Sequence, residues 1–280
     1  MSNLVAIAAY FNPSGCELRD KCFAEFTRAF TSTGIPLYPV STEGDTAPIW
    51  QKERLLNRAI RDLPSSVDKV IWIDGDLVVA SPGYPDWAMS VSAALDKWPI
   101  VQPWSLAGFL GPDGERADGP MGAPVVPSVP FANRNAVVPS GLPATAWPGF
   151  CCAARRDVLE AIGGLYEMDL SGPNDVLMSL AFYGDWSNPF LMRYSGEFRR
   201  HFDPWAGRAF EVIAGRVGYV GAILMHLWHG PFSERRYLER TVRLYHAGYD
   251  PAQHVATGQD GLLVLADDCP AEVRRLATLG

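Results

Sequence analysis

The sequence predicts an α/β fold built on a mostly parallel central sheet flanked by helices, and three observations predict it. The first ~80 residues alternate short continuous apolar runs with segments of helical periodicity. Of the 280 residues 48% are hydrophobic and 20% charged, so the chain can bury a large core. The run KVIWIDGDLVV (69–79) then sets two carboxylates, Asp74 and Asp76, at the end of what reads as a buried strand. In sheets of this kind ligands sit beyond the carboxyl ends of the strands.

The elements follow in order. LVAIAAYF (4–11) is a continuous apolar run bounded by Asn-Pro, which reads as a buried strand. ELRDKCFAEFTRAF carries Leu18, Cys22, Phe23, Phe26, Ala29 and Phe30 at helical spacing and ends near Gly34. IPLYPV reads as a second strand. WQKERLLNRAIRDLP repeats the helical stripe at Leu55, Leu56, Ala59, Ile60 and Leu63, and Pro64 stops it. KVIWI is the third strand. After WPIVQPW the texture changes: Gly108 to Pro148 is dense in Gly, Pro, Asn and Ala, the mark of a functional or mobile loop. Regular structure resumes with a strand and short helix in AWPGFCCAARRDVLEAIGG. GPNDVLMSLAFYGD is a further helix that Asn174 or Asp175 would cap. GYVGAILMHLWHG reads as a strand, and SERRYLERTVRLYHAG as a helix from a Ser233 cap to Gly248. No clean linker divides the chain, so one domain over 1–280 is expected.

A net charge of −7 argues against an electrostatic grip on nucleic-acid phosphates, although a local basic groove would suffice for an enzyme. No secretory leader and no membrane-length apolar run is read. The five cysteines (Cys16, Cys22, Cys151, Cys152, Cys269) are odd in number and lack a CxxC, so reduced thiols and a cytoplasmic location are expected.

Four groups of residues bear chemistry. Asp74 and Asp76, alternate residues at a strand end, would share one side of an extended backbone. There they would hold a hard divalent cation, with Gly75 allowing close approach of a ligand; a hairpin turn at Asp-Gly is the competing reading. His226 and His229, three apart at a strand end, would face opposite sides, one into a site and one into packing; imidazole suits Mn²⁺ better than Mg²⁺. Asp175 is either a dipole-stabilised first-turn carboxylate or a general base for a hydroxyl. The cations Lys52, Arg54, Arg155, Arg156, Arg235, Arg236 and Arg240 include one or two candidates for clamping a diphosphate. The nine tryptophans are core by default, with a sugar or base platform as the alternative.

The order of these motifs resembles the GT-A glycosyltransferases: a βαβαβ start, Asp-x-Asp near 75, GFCCAARRDVLEAIGGLYE, GPND, then HLWHG. The resemblance is to the inverting, galactosyltransferase-like branch, whose Gly-x-x-Asp segment supplies the acceptor's base; Gly172-Pro173-Asn174-Asp175 stands in that place. The match departs at Asn174, where glutamate is usual. FNP, WQKERLLNRAI, VDKVIWIDGDLVV, VQPWS and HLWHGP…RRYLER are also similar to a bacterial and phage group of GT-A-like proteins, over roughly 5–105 and 147–250. The resemblance implies Asp76, Asp74 and His229 at a Mn²⁺ (or Mg²⁺) ion, and Asp175 as base. It implies Ala9, Tyr10, Asn12, Arg54, Asp74 and Gly75 at the donor, and Trp147, Gly149, Gly172 and Asn174 at the acceptor. The expected division is a nucleotide-sugar half (1–105), a flexible loop (106–148), an acceptor half (149–250) and a C-terminal tail (251–280), and the Gly/Pro-rich segment 108–148 is either an acceptor lid or a plain surface insertion. The donor would be a nucleotide sugar such as a UDP-sugar. The acceptor hydroxyl would lie on a glycan, a lipid-linked sugar, a protein or a hydroxymethylated DNA base.

Three rivals remain at this point. A glycoside hydrolase needs carboxylates flanking a scissile bond ~5–9.5 Å apart, which two aspartates one residue apart do not suit. A nucleotidyltransferase usually has a Gly-rich basic loop after the first strand, whereas NPSGCELRD holds one glycine. A non-catalytic binder of sugar nucleotides or glycans would bind without turnover.

Overall fold

The computed structural model describes residues 3–12, 15–42, 49–80, 87–119, 122–136, 141–231 and 236–278. The alternation read from the sequence holds at the start: β1 (Leu4–Tyr10), α1 (Glu17–Phe30), β2 (Leu37–Ser41), α2 (Lys52–Asp62) and β3 (Lys69–Ile73) follow one another. A left-handed Gly34 (φ 68°) closes the turn after α1. β1 lies parallel to both β2 and β3.

The central sheet has six strands in the order β10-β5-β9-β3-β1-β2, adding β5 (Ile100–Gln102), β9 (Cys151–Arg155) and β10 (Val217–Tyr219). All neighbours are parallel except β9, which runs antiparallel to β3 and β5. Continuous apolar strands make sense here because both faces are covered. Val5, Ile7, Val70, Trp72, Cys152 and Ala154 point into one core with α2, α5 (Arg156–Ile162), α6 (Asn174–Tyr183) and α7 (Gly196–Ile213). Their alternate neighbours Leu4, Ala6, Ala8, Ile71, Ile73, Cys151 and Ala153 join a second core with α1 and α3 (Trp87–Leu95).

A second sheet supplies the other wall of that second core. It runs β4-β11-β6-β7, with β4 (Leu77–Val79), β6 (Leu106–Leu110), β7 (Arg116–Ala117) and β11 (Ile223–His226), and β8 (Val125–Pro127) pairs with β6. Two expectations change here. The segment after 106, read as a loop, holds β6, β7, β8 and α4 (Val129–Ala132). Its strands are too short and too rich in small residues to show periodicity, yet Ala107, Phe109 and Val126 are buried. And GYVGAILMH is two strands in two sheets, with the crossover at Val220–Ala222.

The chain makes the same crossing at Asp74-Gly75-Asp76. β3 belongs to the central sheet, whereas β4 pairs antiparallel with β11 in the second, so the two strands form no hairpin. The remaining helices are α8 (Tyr237–His246), α9 (Pro251–His254) and α10 (Ala271–Ala277), with a hairpin of β12 (Val255–Thr257) and β13 (Leu263–Leu265) between the last two. α8 begins later than the sequence suggested; Ser233 and Arg235 lie outside the described residues. The tail is thus built into the fold, with Leu263, Val273 and Ala277 in the first core. No helix among the described residues is long and apolar enough to cross a membrane.

Candidate active site

The crossing between the sheets positions the first group of residues. Residues 74–76 form a turn instead of an extended strand end, so the two carboxylates diverge. Asp74 accepts a hydrogen bond from Lys52 Nζ at 2.9 Å. Asp76 turns the other way, where the register of β4 and β11 sets His226 opposite Leu77 and Leu227 N–H donates to Asp76 O at 2.8 Å. Asp76 Oδ2 lies 2.9 Å from His229 Nε2 and 3.7 Å from His226 Nε2. The expected opposition of the two imidazoles therefore does not arise. β11 ends at His226 and the chain turns, so strand alternation no longer governs His229.

Among the described residues, Asp76, His226 and His229 form a group of possible metal ligands whose donor atoms all lie within 4.8 Å of one another. One carboxylate and two imidazoles suit a first-row transition-metal ion such as Mn²⁺, Fe²⁺ or Zn²⁺ better than Mg²⁺, which takes oxygen ligands. α1 steadies this corner. Cys22 Sγ donates to Trp228 O at 3.0 Å, and Phe23 occupies the space that a Cβ on Gly75 would need. Tyr10 stacks on Phe23 with ring centroids 4.3 Å apart, and its hydroxyl bonds Asp20.

The second group meets at the start of α2 and α6. Lys52 Nζ lies 3.6 Å from Glu53 Oε1 as well as against Asp74. Burial alone would lower its pKa, but the carboxylates of Asp74, Glu53 and Asp175 outweigh that and hold the ammonium protonated well above its usual range. Desolvation pushes the buried Glu53 up to about 7. Asp175 is half-buried; desolvation lifts its carboxyl to about 6, opposed by Lys52 and reinforced by Asp74. Pro173, not Asn174 or Asp175, holds the cap position of α6, and Asp175 Oδ1 accepts from Val176 N–H at 2.9 Å. Its other oxygen packs where a Cβ of Gly149 would stand. Asp74, Lys52, Glu53, Asp175, Gly149 and Gln102 line one cavity, whose wall continues through Cys152, Ser179 and Tyr183.

The remaining residues singled out in the sequence divide. Ala9 is at the end of β1, and Asn12 binds the start of α1 through Cys16 N–H at 3.0 Å. Arg54 faces away, donating to Gly261 O at 2.7 Å and pairing with Glu167. Trp147 stacks on Phe150 at 5.4 Å, and Gly172 packs against the Tyr237 ring. Asn174 is buried and donates to Glu53 Oε2 at 2.8 Å and Asp169 O at 3.0 Å. Arg155 and Arg156 bond backbone carbonyls at Leu95 and Leu63, and Arg240 that of Leu170. Glu53, Gln102 and Phe150 escaped sequence reading. Only the buried place of Glu53 on the apolar stripe of α2, beside Leu56, could have flagged it.

A second cavity, about 460 Å³, lies elsewhere, between α2, α5 and α7. Arg61, Glu160, Glu167 and Arg208 line it, Tyr166 Oη pairs there with His201 Nδ1 at 3.1 Å, and Trp205 Nε1 donates to Gly164 O at 3.0 Å. The smaller cavity is the one that Lys52, Glu53, Asp74 and Asp175 share.

No family model and no curated protein sequence matches the chain. Among solved structures it is similar to the catalytic domain of Drosophila β1,4-galactosyltransferase 7 with xylobiose, at 10% identity and a TM-score of 0.44, covering 96% of each chain. A mutant of that enzyme with manganese, UDP-Gal and xylobiose gives 10% identity and a TM-score of 0.45, covering 99% of each chain. A glycosyltransferase of the PBCV-1 capsid glycosylation system gives 14% and 0.36, over 83% of this chain and 96% of that one. These likenesses are of general outline.

Proposed function

We propose that this chain is a metal-dependent glycosyltransferase of the GT-A type, moving a sugar from a nucleotide-sugar donor to an acceptor hydroxyl with inversion. The observation that carries the reading is the pair of groups on either side of the β3 terminus. Asp76, His226 and His229 gather on one side, and Asp74, Lys52 and Asp175 converge on a cavity on the other. The motif order in the sequence supports the same assignment.

Asp76, His226 and His229 would hold the cation, a first-row transition metal by the chemistry of the donor set and Mn²⁺ by the resemblance of the motifs. When bound, such an ion offsets the charge of a leaving nucleoside diphosphate. The chain's own residues do the rest. Asp175, with its carboxyl near 6, is ionised at neutral pH yet basic enough to take a hydroxyl proton. The acceptor oxygen then bonds the anomeric carbon as the bond to the diphosphate oxygen breaks, on the opposite face. Lys52 stays protonated and adds positive charge beside Asp74. Gln102 keeps the cavity wall in place, donating to Pro148 O at 2.9 Å and accepting from Val129 N–H at 2.8 Å.

The test is a screen of nucleotide sugars for Mn²⁺-dependent thermal stabilisation, followed by transfer assays on glycan, lipid-linked, protein and hydroxymethylated-DNA acceptors. Asp76→Ala is expected to abolish both the stabilisation and the transfer. Full transfer by Asp76→Ala, with and without Mn²⁺, would overturn the reading. Binding without turnover would favour a sugar-nucleotide binder, and release of pyrophosphate from a nucleoside triphosphate would favour a nucleotidyltransferase.

A further inference from the structure

Phe150 holds a backbone conformation that L residues rarely take, with φ at 74°. Cys151 N–H donates across it to Gly149 O at 3.0 Å. A positive φ spanned by an i to i+2 hydrogen bond is the mark of the rare, strained form of the γ-turn. A non-glycine residue persists in such a turn only where its surroundings over-determine it, and such residues cluster at functional sites.

The surroundings tie Phe150 to both halves of the site. Its carbonyl accepts Asp74 N–H at 2.8 Å, one step beyond the ladder of β3 and β9. Its ring centroid is 5.6 Å from that of His226, with Trp147 stacked at 5.4 Å and Trp104 and Phe109 at 5.7 and 6.0 Å. The turn also lays Gly149 directly against Asp175, where no side chain would fit. One residue therefore touches the Asp74 backbone and the His226 ring, and places the wall behind Asp175.

We propose that Phe150 is a positioning residue: its strained turn sets Asp74 and the Gly149 wall while its ring fixes the orientation of the His226 imidazole. The proposal rests on the reading that His226 belongs to a cation site and Asp175 to the acceptor side. Phe150 touches no reacting atom; it acts through these neighbours. Groups that orient metal ligands typically alter affinity by 10–100-fold when replaced. The aromatic ring and the positive φ make separate contributions. Phe150→Gly relaxes the backbone and removes the ring, Phe150→Met keeps apolar bulk without an aromatic face, and Phe150→Tyr keeps the ring.

The experiment uses the full chain. Mn²⁺ affinity is measured by electron paramagnetic resonance without nucleotide, well below each variant's melting temperature. Ring ¹³C and ¹⁵N shifts of His226 are recorded metal-free. Phe150→Gly and Phe150→Met are expected to weaken Mn²⁺ by about 10-fold or more and to move the His226 shifts. Phe150→Tyr is expected to retain both. Folded Gly and Met variants with wild-type affinity and wild-type His226 shifts would overturn the proposal. If the wild-type protein takes no Mn²⁺, the cation reading fails, and the His226 shifts alone decide for or against Phe150. Should the variants not fold, ring-to-ring nuclear Overhauser contacts between Phe150 and His226 in the wild-type protein decide it, their absence counting against the proposal.

Discussion

Asp175 sits against bare backbone at Gly149, with Lys52 and Asp74 as its charged neighbours, and its chemistry is set by that environment. A carboxyl lifted from 3.8 to about 6 loses its basic form as pH falls through 6, so kcat/KM should drop tenfold per pH unit below that point. A pH–rate profile checks this; a limb near pH 4 would place the base elsewhere. Asp175→Asn keeps the shape and removes the proposed base, and should lower kcat by roughly 10²–10⁴-fold with the fold intact by circular dichroism. Gly149→Ala tests the wall. The added methyl would overlap Asp175 Oδ2, so the carboxylate must shift, and a loss of on the order of 10²-fold in kcat is expected from such a displacement.

Elements owe their placement to buried polar anchors as much as to apolar stripes. The loop before α6 is held by Asp169, a buried carboxylate that accepts from Ser171 N–H at 2.8 Å, Ser171 Oγ at 2.6 Å and Tyr245 Oη at 2.7 Å. Removing it would strand those donors in a dry interior, at about 1–3 kcal/mol for each unsatisfied group. Asp169→Ala should therefore destabilise the protein by on the order of 3 kcal/mol in a urea titration. It should also raise KM, because α8 and the start of α6 lose their shared anchor. On α2 the first turn alternates its duties: Gln51 and Arg54 reach the C-terminal hairpin, while Lys52 and Glu53 face the cavity.

At the scale of the whole molecule, those two anchors make the last 28 described residues part of the site's support. Gln51 Oε1 accepts from Leu263 N–H at 2.9 Å, and Leu263, Val273 and Ala277 complete the first core. Truncation after Asp250 should cost at least ~5 kcal/mol from the apolar side chains exposed. The melting temperature should fall accordingly, and the proposed nucleotide-sugar binding should weaken through Lys52 in whatever folded fraction remains. A truncated chain with wild-type melting and binding would show the tail to be dispensable.

The sequence by itself determined the strand–helix alternation of the first 73 residues and the place of Asp74-Gly75-Asp76 beyond β3, because apolar periodicity and turn residues act within about ten positions. It also marked Asp76, His226, His229 and Asp175 as chemistry-bearing, since their residue types and order are visible without contacts. Only the tertiary structure decided that the two carboxylates diverge, that both imidazoles reach Asp76, and that Arg54 serves the C-terminal hairpin. It alone revealed the second sheet, with β6, β7 and β8 inside the expected loop, and the left-handed turn at Phe150. The physical reason is range: β4 finds β11 across nearly 150 residues, and no local pattern encodes which sheet a three-residue strand will join.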